Sequence, residues 1–132
     1  MKRSFGLVAV VGLLLGAALP LLAHHSITSE FTPLKEWSVT GTLKAINWIN
    51  PHTATWVEAK DPNTGKMETW GCEGAPPATF HRAGMRKEDW QVGEEVTMTC
   101  AASKDGSPRW GFIHMLKYKS NGRVMVFRIG GE

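Results

Sequence analysis

The sequence lacks most of the motifs that mark an enzyme. It contains only two cysteines, and they do not form a CxxC motif. The HExxH motif of zinc peptidases, the GxSxG motif of serine hydrolases and a glycine-rich phosphate loop are also absent. These absences favour a binding or interaction protein over an enzyme.

A strong charge of either sign is also missing. The formal net charge is +3, and two of the basic residues, Lys2 and Arg3, lie at the very start of the chain. Without them the net charge falls to +1. Because nucleic-acid binding depends on a basic surface that neutralises phosphates, DNA and RNA are not expected partners.

The chain has one long apolar run, and it predicts export. Residues 1–23 combine a basic start, an uncharged apolar stretch at 5–19 and a small residue, Ala23, before a cleavage point. The stretch is shorter than the ~20 apolar residues of a membrane span, and no cysteine directly follows it for a lipid anchor. We therefore predict a signal peptide at 1–23 and a single periplasmic or secreted domain at 24–132, with no membrane span after cleavage. The alternatives are an uncleaved anchor and cleavage after Ala18.

The two cysteines, Cys72 and Cys100, both lie in the part predicted to be exported. In an oxidising compartment a single cysteine pair is expected to form a disulfide. In the chain-entropy model such a cross-link stabilises the fold by about 3–4 kcal/mol. A metal site that uses both thiolates is the alternative.

Alternating polar and apolar residues predict a mainly β fold. The clearest case is the segment 96–100, where Val96, Met98 and Cys100 share one face. Three strands, a short helix and two strands, in that order, are typical of the OB-fold, a small five-stranded barrel; a β-sandwich is the alternative. The predicted segments are an extended lead-in at 27–37, strands at 39–45, 53–60, 66–72, 96–100 and 110–118, a short final strand at 124–127, and a helix at 78–83 between the third and fourth strands.

Two sequence elements stand out for their specificity: His24-His25-Ser26 directly after the predicted signal, and Trp48-Ile49-Asn50-Pro51-His52. With them the chain resembles a family of exported bacterial proteins catalogued as a domain of unknown function (family number 6152). The resemblance implies export and a small barrel, and it brings no activity. The cysteine pair is not part of the family pattern. Further matching elements are Glu30-Phe31, Gly41-Thr42-Leu43, Trp70-Gly71-Cys72-Glu73, Pro77 with Gly84, Val92-Gly93-Glu94-Glu95-Val96 and Lys104-Asp105-Gly106-Ser107.

Cleavage after Ala23 would create a candidate metal site. The new α-amino group and the imidazole of His24 would supply two nitrogens, and His52, after Asn50-Pro51 at a strand end, is the first choice for the third. This T-shaped set, a histidine brace, suits copper, which has the highest affinity of the series for nitrogen ligands. His25 is a further candidate ligand. The amino-terminal copper motif that needs histidine at the third mature position is absent, because Ser26 stands there.

Each of these residues also has a structural interpretation. A histidine pair at the start of a chain can belong to a solvated terminus, and His52 can be a strand-end residue bonded to a backbone carbonyl. Glu73 is either a metal ligand or, as the preferred interpretation, a cap for the following helix. A copper oxidase of the brace type is a third hypothesis, suggested by analogy with histidine braces in other proteins.

The six tryptophans give an alternative function. Trp48 and Trp56 flank the segment that contains Asn50 and His52, so these four residues form a candidate ligand-binding site. Such a site would serve a metal-free module that binds a small molecule or an envelope protein. Packing in the core and at the barrel rim is the structural alternative for the tryptophans.

Overall fold

The computed structural model, which describes residues 26–127, contains a closed five-stranded β-barrel with one additional strand. The first four barrel strands are β1 (Phe31–Asn47), β2 (Thr53–Lys60), β3 (Met67–Gly74) and β4 (Glu95–Ser103). The fifth is β5 (Trp110–Tyr118), and the additional strand is β6 (Val124–Val126). Helix α1 (Ile27–Glu30) precedes the barrel, and helix α2 (Pro77–Arg82) and a 3-10 helix (Lys87–Asp89) lie between β3 and β4.

The barrel closes through one parallel strand pair. The strands lie in the order β3-β2-β1-β4-β5-β6 with antiparallel neighbours, and β3 pairs in parallel with β5. In that pairing Gly71 lies opposite Trp110 and Glu73 lies opposite Phe112. The mainly β class, the barrel and the helix between the third and fourth strands were predicted from the sequence, and the structure confirms them.

The largest differences between the predicted and the observed segments lie at the start of the described residues. The segment 27–30 is helical rather than extended, and β1 begins at Phe31 and runs for 17 residues. Its pairing with β4 is interrupted between Thr32 and Glu36, and its pairing with β2 shifts between Leu43 and Ala45. Each interruption breaks the alternation of buried and exposed residues, which is why the pattern revealed only the middle of this strand.

The helices are short. Helix α2 has proline in its first turn and is followed by Gly84 with a φ of 79°, as expected for a helix between these residues. Its one buried side chain, Phe80, covers an end of the barrel core together with Trp90. None of the helices within residues 26–127 is both long enough and apolar enough to span a membrane.

Alternate residues of the strands fill the barrel interior. Leu43, Met98 and Leu116 are fully buried there. Cys72 on β3 and Cys100 on β4 form a disulfide, with their Cα atoms 6.4 Å apart. Because β3 and β4 are not neighbours in the sheet, this predicted cross-link spans the interior of the barrel.

A second, smaller apolar cluster lies on the outside of the barrel wall. Ala101 and Phe112 are buried, but the neighbours Cys100 and Ile113 face the interior, so Ala101 and Phe112 must face outward. Phe31 completes this outer cluster, and Ile27 of α1 packs against it. The main-chain N–H of Lys104 donates to the Glu30 carbonyl at 2.9 Å. The first described residues are therefore fixed on the outer surface, beside β4 and β5.

Candidate functional site

A contact between a histidine and a carboxylate joins the start of β2 to the end of β3. Ala54 lies directly opposite Glu73, and His52 is two residues before Ala54, on the same face of the sheet. This register brings Nδ1 of His52 to Oε1 of Glu73. The imidazole is 40% exposed and the carboxylate 17% exposed, so the pair is accessible mainly from the histidine side.

This contact differs from the structural roles predicted for each residue alone, which were a helix cap for Glu73 and a bond to a backbone carbonyl for His52. The prediction that Glu73 caps the next helix is wrong, because the N-cap of α2 is Pro76 and no side chain bonds to that helix end. The partner of His52 is a carboxylate rather than a backbone carbonyl. Since Nδ1 faces Glu73, Nε2 is the nitrogen left for an external ligand.

A second carboxylate acts on Glu73. Burial raises the pKa of the Glu73 carboxyl above its ordinary value, His52 opposes that rise, and the negative charge of Glu30 adds to it. Glu30 is the last residue of α1, and the next residue, Phe31, contacts Phe112 with 5.6 Å between ring centroids. Phe112 in turn lies opposite Glu73 in the sheet. The contact of Phe31 with Phe112 and the effect of Glu30 on Glu73 therefore both place the N-terminal segment beside this site.

The described residues contain only part of the predicted metal site. His24 and His25 lie outside the residues that the structure describes, which begin at Ser26. Within 26–127, no three histidine, cysteine, aspartate or glutamate side chains are grouped so as to hold a metal ion. The brace at His24 and His52 thus stays a prediction, for which the structure provides the surroundings of His52.

A similar pair lies elsewhere on the barrel. Nδ1 of His114 on β5 contacts Oε1 of Glu36 on β1, and the imidazole is 41% exposed. His81 is exposed on α2, and its ring centroid lies 5.6 Å from that of Trp48. His114 therefore resembles His52 in its exposure and in having a carboxylate partner, but it lies on a different strand.

The four residues of the predicted ligand site do not share one set of contacts. Trp48 packs against the core with Phe80 and Trp90. Trp56 lies on the other side of the barrel wall, since its neighbours on β2 are buried inside, and it contacts Trp110 with centroids 5.4 Å apart. Asn50 is exposed before β2. The structure thus separates the two tryptophans that the sequence placed around one pocket.

Trp48 instead borders a cleft that the sequence did not reveal. This cleft has a volume of about 580 Å³ and lies beside α2 and the 3-10 helix. The 3-10 helix was not predicted, so Lys87 and the preceding Arg86 had no assigned position relative to Trp48. The lining residues, which we call the basic aromatic cleft, are Trp48, His81, Gly84, Arg86, Lys87 and Glu88.

A comparison with known protein families identifies the family of this chain. The model of a family of unknown function, DUF6152, matches residues 11–112. The chain belongs to this family. The matched range runs through β1 to β4 into β5 and includes His24, His52 and Glu73. No curated protein and no solved structure matches the chain. The function of this DUF6152 protein is therefore argued from its own residues.

Proposed function

We propose that this protein is an exported β-barrel binding module that holds a copper ion. The ligands are the α-amino group and imidazole of His24, created by cleavage after Ala23, and Nε2 of His52. The observation that carries the proposal is the position of the N-terminal segment, which passes beside the His52–Glu73 pair.

The proposed amine must lie close to the first described residue, Ser26. His24 is two residues before Ser26, and two residues span at most about 7 Å of extended chain. Ser26 is itself held near the barrel by α1, where its carbonyl accepts a hydrogen bond from the main-chain N–H of Ser29 at 2.7 Å. We therefore propose that the amine lies within about 7 Å of Ser26, whose neighbour Ile27 packs against the outer cluster of Phe31, Ala101 and Phe112.

Glu73 acts on the proposed metal through His52. A histidine that binds a metal through one nitrogen usually donates its other N–H to a carboxylate or a carbonyl, which fixes the ring orientation and increases its basicity. The Nδ1 contact with Glu73 supplies that arrangement before any metal binds. Nitrogen ligands with this geometry favour Cu(II) over other divalent first-row metals.

Export is part of the same proposal, because the amine exists only after cleavage. The buried pair Cys72–Cys100 supports an oxidising compartment, where disulfides persist. We expect a periplasmic or secreted protein with no membrane span in the mature chain.

The first test is the identity of the mature N-terminus. Mass spectrometry of the protein recovered after export should give a chain that starts at His24. Copper titration of that chain should show tight binding that is lost in His24→Ala and in His52→Ala. The matched control is His114→Ala, which removes an imidazole of the same exposure that also contacts a carboxylate. A start at another residue, or equal copper affinity of His52→Ala and the control, would overturn the proposal.

A metal-free interaction module is the second candidate, and one surface feature favours it. Trp56 and Trp110 lie together on the outer face above Gly71, both only partly buried. Half-buried aromatic pairs of this kind suit a small ligand or an envelope protein. If this is the function, Trp56→Ala should weaken a partner recovered by pull-down whereas copper should not change its recovery. Partners that all tolerate Trp56→Ala would rule out this surface.

A further inference from the structure

We propose that the basic aromatic cleft binds a small planar aromatic anion. This site is separate from the copper site and contains none of the copper ligands. Three features support it: a fixed tryptophan wall, two cations that make no ion pair within residues 26–127, and a loop whose backbone is held in place.

The tryptophan wall is held rigidly from behind. The Trp48 ring stacks on Phe80 with centroids 5.6 Å apart and an interplanar angle of 28°, and it meets the edge of Trp90 at 5.2 Å. Trp90 is itself fixed, because its indole N–H donates to the Thr55 hydroxyl at 3.0 Å in the buried core. A ligand ring that enters the cleft would therefore meet an aromatic surface without ordering it first.

His81 gives the cleft a second ring. Its plane is tilted by 42° from that of Trp48. Two rings at such an angle can contact a flat ligand on one face and at one edge, which is the geometry aromatic groups prefer. The cleft volume of about 580 Å³ is within the range of small-molecule sites.

The charged residues of the cleft favour an anion. Arg86 and Lys87 are exposed there. Within residues 26–127 neither makes an ion pair, although the charge of Arg86 acts on Asp89. The nearby Asp89 is already occupied, since its carboxylate accepts from Arg123 Nη2 and from the main-chain N–H of Arg86, each at 2.7 Å. Glu88 also lines the cleft, so the three charged lining residues sum to +1 and match a ligand with a single negative charge.

The backbone that carries these cations is ordered. The main-chain N–H of Met85 donates to the Phe80 carbonyl at 2.9 Å, and that of Trp90 donates to the Lys87 carbonyl at 3.1 Å. Both bonds tie the loop to residues of the aromatic wall. The backbone of Arg86 and Lys87 is therefore fixed beside the rings, within reach of which a carboxylate or sulfonate on an aromatic ligand can accept charge-assisted hydrogen bonds from the two side chains.

Isothermal titration of the metal-free mature chain with 2-naphthoate tests this site. We expect measurable binding that is at least about tenfold weaker for the neutral 2-naphthalenemethanol and for the non-aromatic cyclohexanecarboxylate, since each lacks one of the two interactions, and a tenfold loss equals about 1.4 kcal/mol. The double variant Arg86→Gln/Lys87→Gln should lose affinity for 2-naphthoate by a similar factor. Both residues are exposed, so the fold should be retained, which circular dichroism can verify.

Lys66→Gln is the matched control, because it removes an exposed cation at the far turn of the β2–β3 hairpin. It should bind 2-naphthoate as the unaltered chain does. No binding of 2-naphthoate, equal binding of cyclohexanecarboxylate, or equal affinity of the double variant and Lys66→Gln would each overturn the proposal. Chelators exclude copper from the assay, and the double variant should bind copper normally, so the outcome is independent of the metal proposal.

Discussion

Nδ1 of His52 contacts the Glu73 carboxylate where β2 begins and β3 ends, and the N-terminal segment passes next to this pair. The pair depends on the register of one hairpin, in which Ala54 lies opposite Glu73. It fixes Nδ1 of the imidazole toward the protein and leaves Nε2 for a ligand. In the proposed copper site, this oriented histidine binds the metal together with the mature His24 terminus.

Removal of Glu73 should weaken copper binding without loss of the fold. In Glu73→Ala, His52 loses the acceptor that orients it, and outer-shell partners of this kind are typically worth about 10–100-fold in metal affinity. Competition titration with a chelator of known affinity measures the change. Glu36→Ala removes the corresponding carboxylate from His114 and should leave the affinity unaltered. Equal effects of the two variants would show that Glu73 has no special role.

The disulfide should contribute substantially to stability. Cys72 and Cys100 are 28 residues apart in sequence, a loop for which the chain-entropy model gives about 3–4 kcal/mol. Urea unfolding of Cys72→Ala/Cys100→Ala should show this loss relative to the oxidised protein. A reducing agent should lower the midpoint of the unaltered protein but not that of the variant. An unaltered midpoint on reduction would mean that the cross-link does not form in solution.

Asp89 should stabilise the fold in a pH-dependent way. Hydrogen bonds from Arg123 and from the main-chain N–H of Arg86 lower the pKa of the Asp89 carboxyl below its ordinary value. A lowered folded-state pKa gives stability that is present above the unfolded-state value of about 3.9 and is lost as the pH falls through the folded-state value.

Asp89→Asn should therefore cost about 1 kcal/mol at neutral pH, a typical size for a partly exposed charged hydrogen bond. This cost should disappear in strong acid, where the carboxyl of the unaltered protein is protonated. Denaturant unfolding at both pH values gives the difference. The same cost at both pH values would contradict an electrostatic origin.

Gly71 should not tolerate a side chain, because two tryptophans cover it. A Cβ atom there would lie 2.5 Å from Cζ3 of Trp56 and 2.7 Å from Cζ3 of Trp110. We expect Gly71→Ala to destabilise the protein by about 1–3 kcal/mol, as overpacking does. In the background of Trp56→Leu the same change should cost less, because one of the clashing rings is gone. Equal costs in the two backgrounds would rule out the ring contact as the cause.

The sequence predicted the fold better than the site, for physical reasons. The bounds of β2 and β5 agree with those predicted, because their residues have strong strand preferences and turns flank them. The start of β1 was missed because its irregular pairing with β4 breaks the alternation after Thr32. His52 was predicted to be a metal ligand from its place after Asn50-Pro51, and that role stays a prediction. Its contact with Glu73 was not predicted, since the predicted third strand ended at residue 72 and Glu73 was assigned to cap the helix.

The basic aromatic cleft is formed by contacts between residues that lie far apart in the sequence. Trp48 was paired with Trp56 because both flank His52 in sequence, but the wall of the barrel separates them. The partners of Trp48 come from α2 and from Trp90, more than 30 residues further along the chain. Such contacts follow from tertiary packing of the segment between β3 and β4, which no local pattern encodes.

The most direct test of the central claim compares two mature chains that differ only at the terminal amine. Both begin at His24, and in the second an acetyl group blocks the α-amino group, so the amine no longer forms a chelate with the His24 imidazole. We expect the first chain to bind one equivalent of Cu(II) at least about a hundredfold more tightly, a difference of about 2.7 kcal/mol. We also expect His52→Ala to remove much of that advantage. Equal Cu(II) affinity of the two chains would contradict the proposed site.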